Sequence, residues 1–167
     1  MQREPEFRPE PILRTLLENG VEFIVIGGFA ATLHGSAYVT FDIDIVPKRD
    51  ADNLTRLSAA LRAMNARIWT QPEPQGLPFD HDASSLRDVE ILNLVTDYGR
   101  FDVTTVPAGT QGYEDLRRDA VRMQIDDLDV AVASLADVVR SKEAANRPKD
   151  HLALPTLRRL LDETPPG

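Results

Sequence analysis

The 167-residue chain contains no cysteine, so disulfide bonds, zinc–thiolate sites and cysteine nucleophiles are excluded. It also lacks any run approaching about 18 consecutive apolar residues, so we expect no membrane-spanning helix. Its first residues, Met-Gln-Arg-Glu-Pro-Glu, lack the basic start and apolar stretch of a secretory signal peptide. These absences together predict a cytoplasmic protein.

Positive charge is scarce, since 19 Lys and Arg stand against 27 Asp and Glu and give a formal net charge of −8. This balance opposes non-specific attraction to nucleic acid and to anionic membranes. Residues 140–159 are the exception, with six basic residues against two acids. Such a segment on an acidic body suits a site that holds divalent cations on one side and phosphates on the other. A solvated basic helix face is the alternative.

The pattern of apolar residues predicts an α+β fold in which helices flank a mixed sheet. Helices are expected at about 9–19, 29–33, 50–64, 134–146 and 150–162, and strands at 21–26, 41–46, 89–95, 101–106, 122–125 and 128–132. Residues 70–86, rich in proline, are predicted to form a loop. The length favours one domain over residues 1–167, with a flexible tail at 164–167.

Two acids, Asp42 and Asp44, alternate with apolar residues in the predicted strand 41–46. Residues i and i+2 of a strand point to the same side, so their carboxylates should lie about 6–7 Å apart. Oxygen ligands at this separation suit Mg²⁺ or Mn²⁺. An acidic, solvent-facing strand surface is the alternative, although aspartate is a poor strand former and two adjacent acids repel.

A tandem glycine, Gly27-Gly28, closes the apolar run 21–26 and precedes a short predicted helix. Glycine allows close approach of the backbone to a ligand, and amides at a helix start attract phosphate. The dipeptide is equally compatible with a tight strand-to-helix turn. The chain has neither the Walker pattern nor Gly-x-Gly-x-x-Gly, so the common nucleotide-binding loops are absent.

Further candidates lie later in the chain. Asp102 is alone in a strand, where a solvent-facing acid is the usual case, and Lys142 lies on the predicted helix 134–146. Arg147, Lys149 and Asp150 surround the break at Pro148, where capping or ion pairing is equally compatible with the pattern.

Two histidines have structural explanations. We expect His34, near the end of the short helix, to pack or cap rather than to catalyse. The triplet Asp80-His81-Asp82 could bind a metal, but its place in a proline-rich segment favours an exposed loop.

Taken in order, Gly27-Gly28, Asp42-x-Asp44 and Asp102 resemble the nucleotidyltransferase superfamily that includes DNA polymerase beta. The stretch from Gly27 to Ile45 resembles most the branch of AbiEii-type toxins and minimal nucleotidyltransferases, and Lys142-Glu-Ala-Ala-Asn-Arg-Pro-Lys-Asp150 is similar to that branch's distal lysine and Lys-Asp motif. The resemblance covers about residues 20–155. It implies a polymerase-beta-like fold.

The resemblance also implies a role for each matching residue. Asp42 and Asp44 would hold two metal ions, and Asp102 would complete the catalytic metal site and help to deprotonate an acceptor hydroxyl. The cofactor-binding residues would be Gly27 and Gly28, which contact the triphosphate, Lys142, which also neutralises phosphate charge in the transition state, and the supporting residues Lys149 and Asp150.

The implied activity is transfer of a nucleoside monophosphate from a nucleoside triphosphate to an acceptor hydroxyl, with release of pyrophosphate (an EC 2.7.7-type reaction). The acceptor would be tRNA if the chain is the toxin of a toxin–antitoxin pair with a cognate antitoxin as partner. A small molecule, as in antibiotic nucleotidyltransferases, is the alternative. Many superfamily members have Gly-Ser in place of Gly27-Gly28, so a phosphate-binding hydroxyl is missing; a catalytically silent nucleotide-binding or antitoxin-like module is therefore a third possibility.

Overall fold

A computed structural model describes residues 3–164 of the chain. Its strands are β1 (Phe23–Ile26), β2 (Asp42–Pro47), β3 (Arg67–Ile68), β4 (Ile91–Thr96), β5 (Gly99–Thr104), β6 (Val121–Ile125) and β7 (Leu128–Val132). Its helices are α1 (Pro9–Glu18), α2 (Gly27–Leu33), α3 (Ala51–Ala63), α4 (Ala83–Arg87), α5 (Tyr113–Leu116), α6 (Leu135–Ala145) and α7 (Pro148–Glu163). Of the predicted tail 164–167, residues 165–167 lie outside the described part.

The strands form one mixed sheet in the order β3-β4-β5-β2-β1-β7-β6. The pairs β2–β5 and β1–β7 are parallel, whereas the other neighbouring pairs are antiparallel. The predicted α+β fold with a mixed sheet flanked by helices is thereby confirmed. The central position of β2 and β5 matters for the site, because it places the predicted acids on adjacent, well-supported strands.

Alternation along β2 separates the core from the acids. Ile43 and Ile45 are fully buried, whereas Asp42 and Asp44 face the other side and are only partly buried. The buried apolar cluster continues through α1, α3 and α7, where Ile12, Leu57 and Leu157 are almost inaccessible to solvent. Burial of this kind contributes about 25 cal/mol per Å² of apolar surface, so β2 is held firmly in register.

Two short helices were not predicted, and local capping explains one of them. The proline-rich segment 70–86 is mostly a loop, but α4 begins within it. The Asp82 carboxylate accepts a hydrogen bond from the Ser85 backbone N–H, and the Ser85 hydroxyl accepts one from the Asp82 backbone N–H, which completes a capping box. The other is α5, a single turn that follows Gly112.

Pro148 follows the end of α6 and also begins α7. It occupies the first turn of α7, where its missing N–H costs no hydrogen bond. The last helix therefore starts two residues before the predicted boundary at 150, and this start brings the basic residues around Pro148 next to α6. No helix within residues 3–164 combines the length and the apolar composition that a membrane crossing needs.

Candidate active site

The three predicted acids come together because β2 and β5 are parallel neighbours. In the strand register, Asp44 pairs with Asp102 and Asp42 pairs with Arg100. One carboxylate oxygen from each of Asp42, Asp44 and Asp102 lies within 4.8 Å of the others. Within residues 3–164 this is the group of acidic and histidine side chains that is close enough to share a metal ion.

The acids are crowded in a poorly solvated place. Burial, followed by the charges of Asp42 and Asp102, raises the pKa of Asp44 to about 8. Burial and the charge of Asp42 raise the pKa of Asp102 to about 6, against the opposing effect of Arg100. Ionisation of carboxylates in such surroundings becomes favourable when a cation binds beside them and neutralises their charge.

Asp102 is buried rather than solvent-facing, with only 8% of its surface exposed. Its Oδ1 accepts a hydrogen bond from the Leu94 backbone N–H at 3.3 Å and lies 3.5 Å from Nη2 of Arg100. The Arg100 guanidinium is itself fixed by stacking on the Trp69 ring, 3.7 Å from the ring centroid. The orientation of Asp102 is therefore determined from β4 and β5.

Gly27 is required at the start of α2 for two independent reasons. Its φ of +70° is a conformation that side-chain-bearing residues rarely adopt. A Cβ at this position would also lie 2.3 Å from Oδ2 of Asp44, so any side chain would displace that carboxylate. Gly27 thus lies directly against the Asp44 carboxylate, while its predicted contact with a triphosphate stays a prediction.

A cavity of about 210 Å³ joins the acids to the basic segment. We call it the basic cavity, and its polar lining is formed by Ser36, Tyr38, Thr40, Asp42, Asp44, Lys142, Arg147 and Lys149, with Gly28 at its wall. All but three of the predicted site residues line it. Of these three, Gly27 and Asp102 neighbour Asp44, and Gly27 lines a second cavity on the other side of that residue. The third, Asp150, contacts Lys142 and Arg147.

Asp150 is completely buried, and it organises the basic side chains. Its carboxylate accepts hydrogen bonds from the Arg147 backbone N–H at 3.1 Å and from Arg147 Nε at 2.8 Å, and it lies 3.5 Å from Lys142 Nζ. Burial lowers the pKa of Lys142, and the charge of Asp150 opposes this effect. Asp150 therefore reaches a ligand only through Lys142 and Arg147.

Sequence reasoning did not include Arg147 and Thr40 among the site residues. Arg147 lines the basic cavity from the α6–α7 junction, and only its position between Lys142 and Lys149 could have indicated this. Thr40 lies two residues before Asp42, where the alternation of a strand places it on the same side as the acids.

The sequence over residues 12–156 matches the family described as "nucleotidyltransferase of unknown function" (DUF6036). The match spans most of the chain. The chain belongs to this family. The superfamily named from Gly27-Gly28, Asp42-x-Asp44 and Asp102 is therefore confirmed, whereas membership of the AbiEii-type branch remains a prediction.

Solved structures with the same fold also include nucleotidyltransferases. The lincosamide antibiotic adenylyltransferase LnuA, in its lincomycin-bound form, is 16% identical with a TM-score of 0.61, covering 93% of this chain and 99% of LnuA. A putative nucleotidyltransferase from Thermotoga maritima is 17% identical with a TM-score of 0.50, covering 96% of this chain and 98% of its own. No curated protein sequence matches this nucleotidyltransferase.

A second cavity of about 220 Å³ lies on the other side of Asp44. We call it the apolar cavity after the apolar residues that form half of its lining: Ile26, Ile91, Pro107, Ala108, Leu116, Ala133, Val138 and Ala145. The other lining residues are Gly27, Asp44, Thr104, Thr110, Asp137, Ser141, Lys142 and Arg147. Asp44, Lys142 and Arg147 line both cavities. The site thus has two cavities that meet at one carboxylate, Asp44, and at two basic side chains, Lys142 and Arg147.

The remaining candidates of the sequence have structural roles. His34 Nε2 lies 2.7 Å from the Ala133 carbonyl oxygen, which ties the end of α2 to the start of α6. His81 Nδ1 lies 2.6 Å from the buried Ser58 hydroxyl on α3. Neither histidine lines the two cavities at Asp44.

The acids of the nucleotidyltransferase fit a divalent metal. Mg²⁺ and Mn²⁺ prefer hard, negatively charged oxygen ligands, and three such ligands converge here from rigid strands. Burial and the charge of Asp42 raise the pKa of Asp44 and of Asp102, and a bound cation would oppose both effects.

Proposed function

We propose that this protein transfers a nucleoside monophosphate from a nucleoside triphosphate to an acceptor hydroxyl and releases pyrophosphate. One observation carries the proposal: three carboxylates lie within 4.8 Å of one another, and two of them, Asp42 and Asp44, line a cavity whose other wall presents Lys142, Arg147 and Lys149. Adjacent acidic and basic walls match a metal–triphosphate, whose charges have the same arrangement.

In the proposed reaction, the acceptor oxygen attacks the α-phosphorus in line with the leaving group. The new phosphorus–oxygen bond forms as the bond between the α-phosphorus and the bridging oxygen of pyrophosphate breaks. Asp102, which lies beside Asp44 in the strand register, accepts the proton of the acceptor hydroxyl. Asp42, Asp44 and Asp102 would hold Mg²⁺ or Mn²⁺, which when bound neutralises phosphate charge and polarises the α-phosphate.

The basic residues would act on the phosphates of the leaving pyrophosphate. Lys142 and Arg147 are held together by the buried Asp150, so they neutralise developing charge without first being reoriented. Lys149 is exposed at the mouth of the basic cavity and would draw the triphosphate in. Gly27 and Gly28 would offer their backbone N–H groups to the same phosphates.

We further propose that the acceptor is a small molecule that occupies the apolar cavity. This cavity shares Asp44 with the basic cavity, so its occupant could reach the reacting phosphorus. Its volume of about 220 Å³ and its mixed apolar and polar lining suit a small molecule that has an apolar body and hydroxyl groups. The likeness in fold and size to LnuA, which is described as a lincosamide antibiotic adenylyltransferase, supports this choice.

A tRNA acceptor is the second candidate, and the exposed basic side chains of α7 favour it. Lys149, Arg158 and Arg159 are exposed on the segment that borders the basic cavity. In this case the chain would be a toxin with a cognate antitoxin. The net charge of −8 opposes the binding of RNA over the rest of the surface.

The test is incubation of the protein with each α-labelled nucleoside triphosphate, Mg²⁺ and either a panel of hydroxyl-bearing antibiotics or total tRNA. The small-molecule proposal predicts label on an antibiotic and pyrophosphate in equal amount. Label on tRNA would support the second candidate instead. Nucleotide binding without transfer to any acceptor would indicate a silent module, and transfer that persists in Asp44→Asn would contradict the proposed site.

A further inference from the structure

The Asp42 carboxylate depends on a single side-chain donor. Asp42 is the first residue of β2, and Asp44 and Asp102 are neighbours in the ladder whereas Asp42 is not opposite an acid. Among the residues that the structure describes, one side chain donates a hydrogen bond to it: the Thr40 hydroxyl, whose Oγ1 lies 2.9 Å from Asp42 Oδ1.

The Thr40 hydroxyl also lies against Gly28. A Cβ built on Gly28 would be 3.3 Å from Thr40 Oγ1 and 3.5 Å from Thr40 Cβ, so the absence of a side chain at position 28 leaves the space that Thr40 fills. Both residues line the basic cavity. The hydroxyl group beside Gly28 in the basic cavity therefore belongs to Thr40, in the segment before β2.

We propose that Thr40 is a positioning residue that fixes the Asp42 carboxylate for the metal–triphosphate, and that Gly28 is small because Thr40 occupies the space beside it. The inference rests on the proposed function. The physical basis of the role of Thr40 is that a hydrogen bond to one oxygen of the Asp42 carboxylate restricts rotation of that carboxylate. The second oxygen is then left free for a cation. Partners of metal ligands typically change metal affinity about 10–100-fold when they are removed.

The first test is Mn²⁺ affinity, measured without nucleotide by the electron paramagnetic resonance signal of the free ion. Thr40→Val keeps the shape of the side chain but removes the hydroxyl, and we expect about tenfold weaker binding. Thr40→Ser keeps the hydroxyl and should bind Mn²⁺ within about twofold of wild type. Thr55→Val is the matched control, because it removes an exposed threonine hydroxyl that bonds only the Ala51 carbonyl oxygen on α3.

The second test is a double-mutant cycle between positions 28 and 40. Gly28→Ala should weaken Mn²⁺ binding, because its methyl group presses on the Thr40 hydroxyl. The same substitution should have a smaller effect in a Thr40→Ala background, since the hydroxyl it displaces is already gone. Thermal unfolding of each variant identifies any that fail to fold, and such a failure in Thr40→Val leaves the cycle as the deciding experiment.

Wild-type affinity in Thr40→Val, equal losses in Thr40→Val and Thr40→Ser, or additive effects in the cycle would each overturn the inference. These results are separate from the fate of the proposed reaction. If the wild type binds Mn²⁺ but transfers no nucleotide, the proposed function fails while the affinities still decide the role of Thr40.

Discussion

The two walls of the basic cavity are built in different ways. The acidic wall belongs to the central strands β2 and β5, where the register itself brings Asp44 beside Asp102. The basic wall belongs to the α6–α7 junction, where a buried carboxylate, Asp150, gathers Lys142 and Arg147. The sheet fixes the acids through backbone pairing, whereas the basic residues depend on one side chain.

This difference indicates how each wall should respond to substitution. Loss of an acid removes a charge that nothing nearby replaces, while the strands keep their positions. Loss of Asp150 leaves the cations present but poorly placed. The predictions below use this contrast, beginning with the largest expected effect.

Asp44→Asn should reduce nucleotidyl transfer by about two to three orders of magnitude, because it removes the carboxylate that both cavities share. This range corresponds to the several kcal/mol that a correctly held metal contributes to transition-state stabilisation. Steady-state transfer assays measure the effect. Asp129→Asn is the control, since it removes an exposed strand acid on β7 that pairs with Arg122 away from the site. Equal activity in the two variants would contradict the assignment.

Gly27→Ala should lower kcat by about 100-fold, because the new Cβ would meet Asp44 Oδ2 and move the carboxylate. The positive φ adds a stability cost of about 1–2 kcal/mol. Gly35→Ala separates the two effects, since Gly35 also has a positive φ but its nearest neighbour is the Leu160 side chain. Both variants should lose thermal stability, and only Gly27→Ala should lose the chemical step. A similar kcat in both would show that backbone strain alone accounts for the result.

Asp150→Asn should lower kcat/KM for the nucleoside triphosphate by about tenfold, through both a lower kcat and a higher KM, since Lys142 and Arg147 lose their shared partner. Removing one member of a buried ion pair is also destabilising by about 3–5 kcal/mol, so thermal unfolding must be measured beside the kinetics. Glu143→Gln is the control, because it removes an exposed acid of α6 that contacts Arg158. A lower kcat with an unchanged KM would mean that the basic wall acts only in the chemical step.

The smallest expected effect is a pH dependence of stability. The pKa of Asp44 is about 8 and that of Asp102 about 6 in the folded protein, above the ordinary value of 3.8. The folded state therefore binds more protons than the unfolded state, so the contribution of these acids is fully present below about pH 4 and is lost as the pH rises through 6 and 8. Mg²⁺ should raise the melting temperature by a few degrees at pH 8.5 and by less at pH 5.5.

Differential scanning fluorimetry at the two pH values measures this effect. In Asp44→Asn the loss of stability between pH 5.5 and 8.5 should be smaller than in wild type, and so should the stabilisation by Mg²⁺. If Mg²⁺ raised the melting temperature equally at both pH values, metal binding would not depend on the ionisation of Asp44, and the prediction would be wrong.

The acidic wall could be predicted from the sequence because its geometry is local and periodic. Alternation places Asp42 and Asp44 on one side of a strand whatever the tertiary structure. That Asp102 lies close to Asp42 and Asp44 could be predicted only from the resemblance to nucleotidyltransferases, in which these motifs follow one another in the same order. Nothing in the sequence of β5 itself indicates which strand lies beside it. Its burial was against expectation for a lone strand acid, and the pairing of β5 with both β2 and β4 explains it.

The basic wall was harder to predict because it depends on how one helix starts after another ends. Pro148 predicts from the sequence that a helix is interrupted there. The position of Arg147 at the cavity, however, follows from its hydrogen bonds to Asp150, three residues later. The contact between Thr40 and Gly28 joins residues twelve apart across a loop, so no periodicity marks it. Contacts of this kind are set by tertiary packing.

The central claim is that the acidic wall binds the metal and the basic wall binds the phosphates. Crystallography with Mn²⁺ and a non-hydrolysable nucleoside triphosphate tests it directly. The account predicts an anomalous Mn²⁺ signal among Asp42, Asp44 and Asp102, with the phosphates directed toward Lys142, Arg147 and Lys149. Phosphates in the apolar cavity, or Mn²⁺ bound away from these three acids, would contradict it.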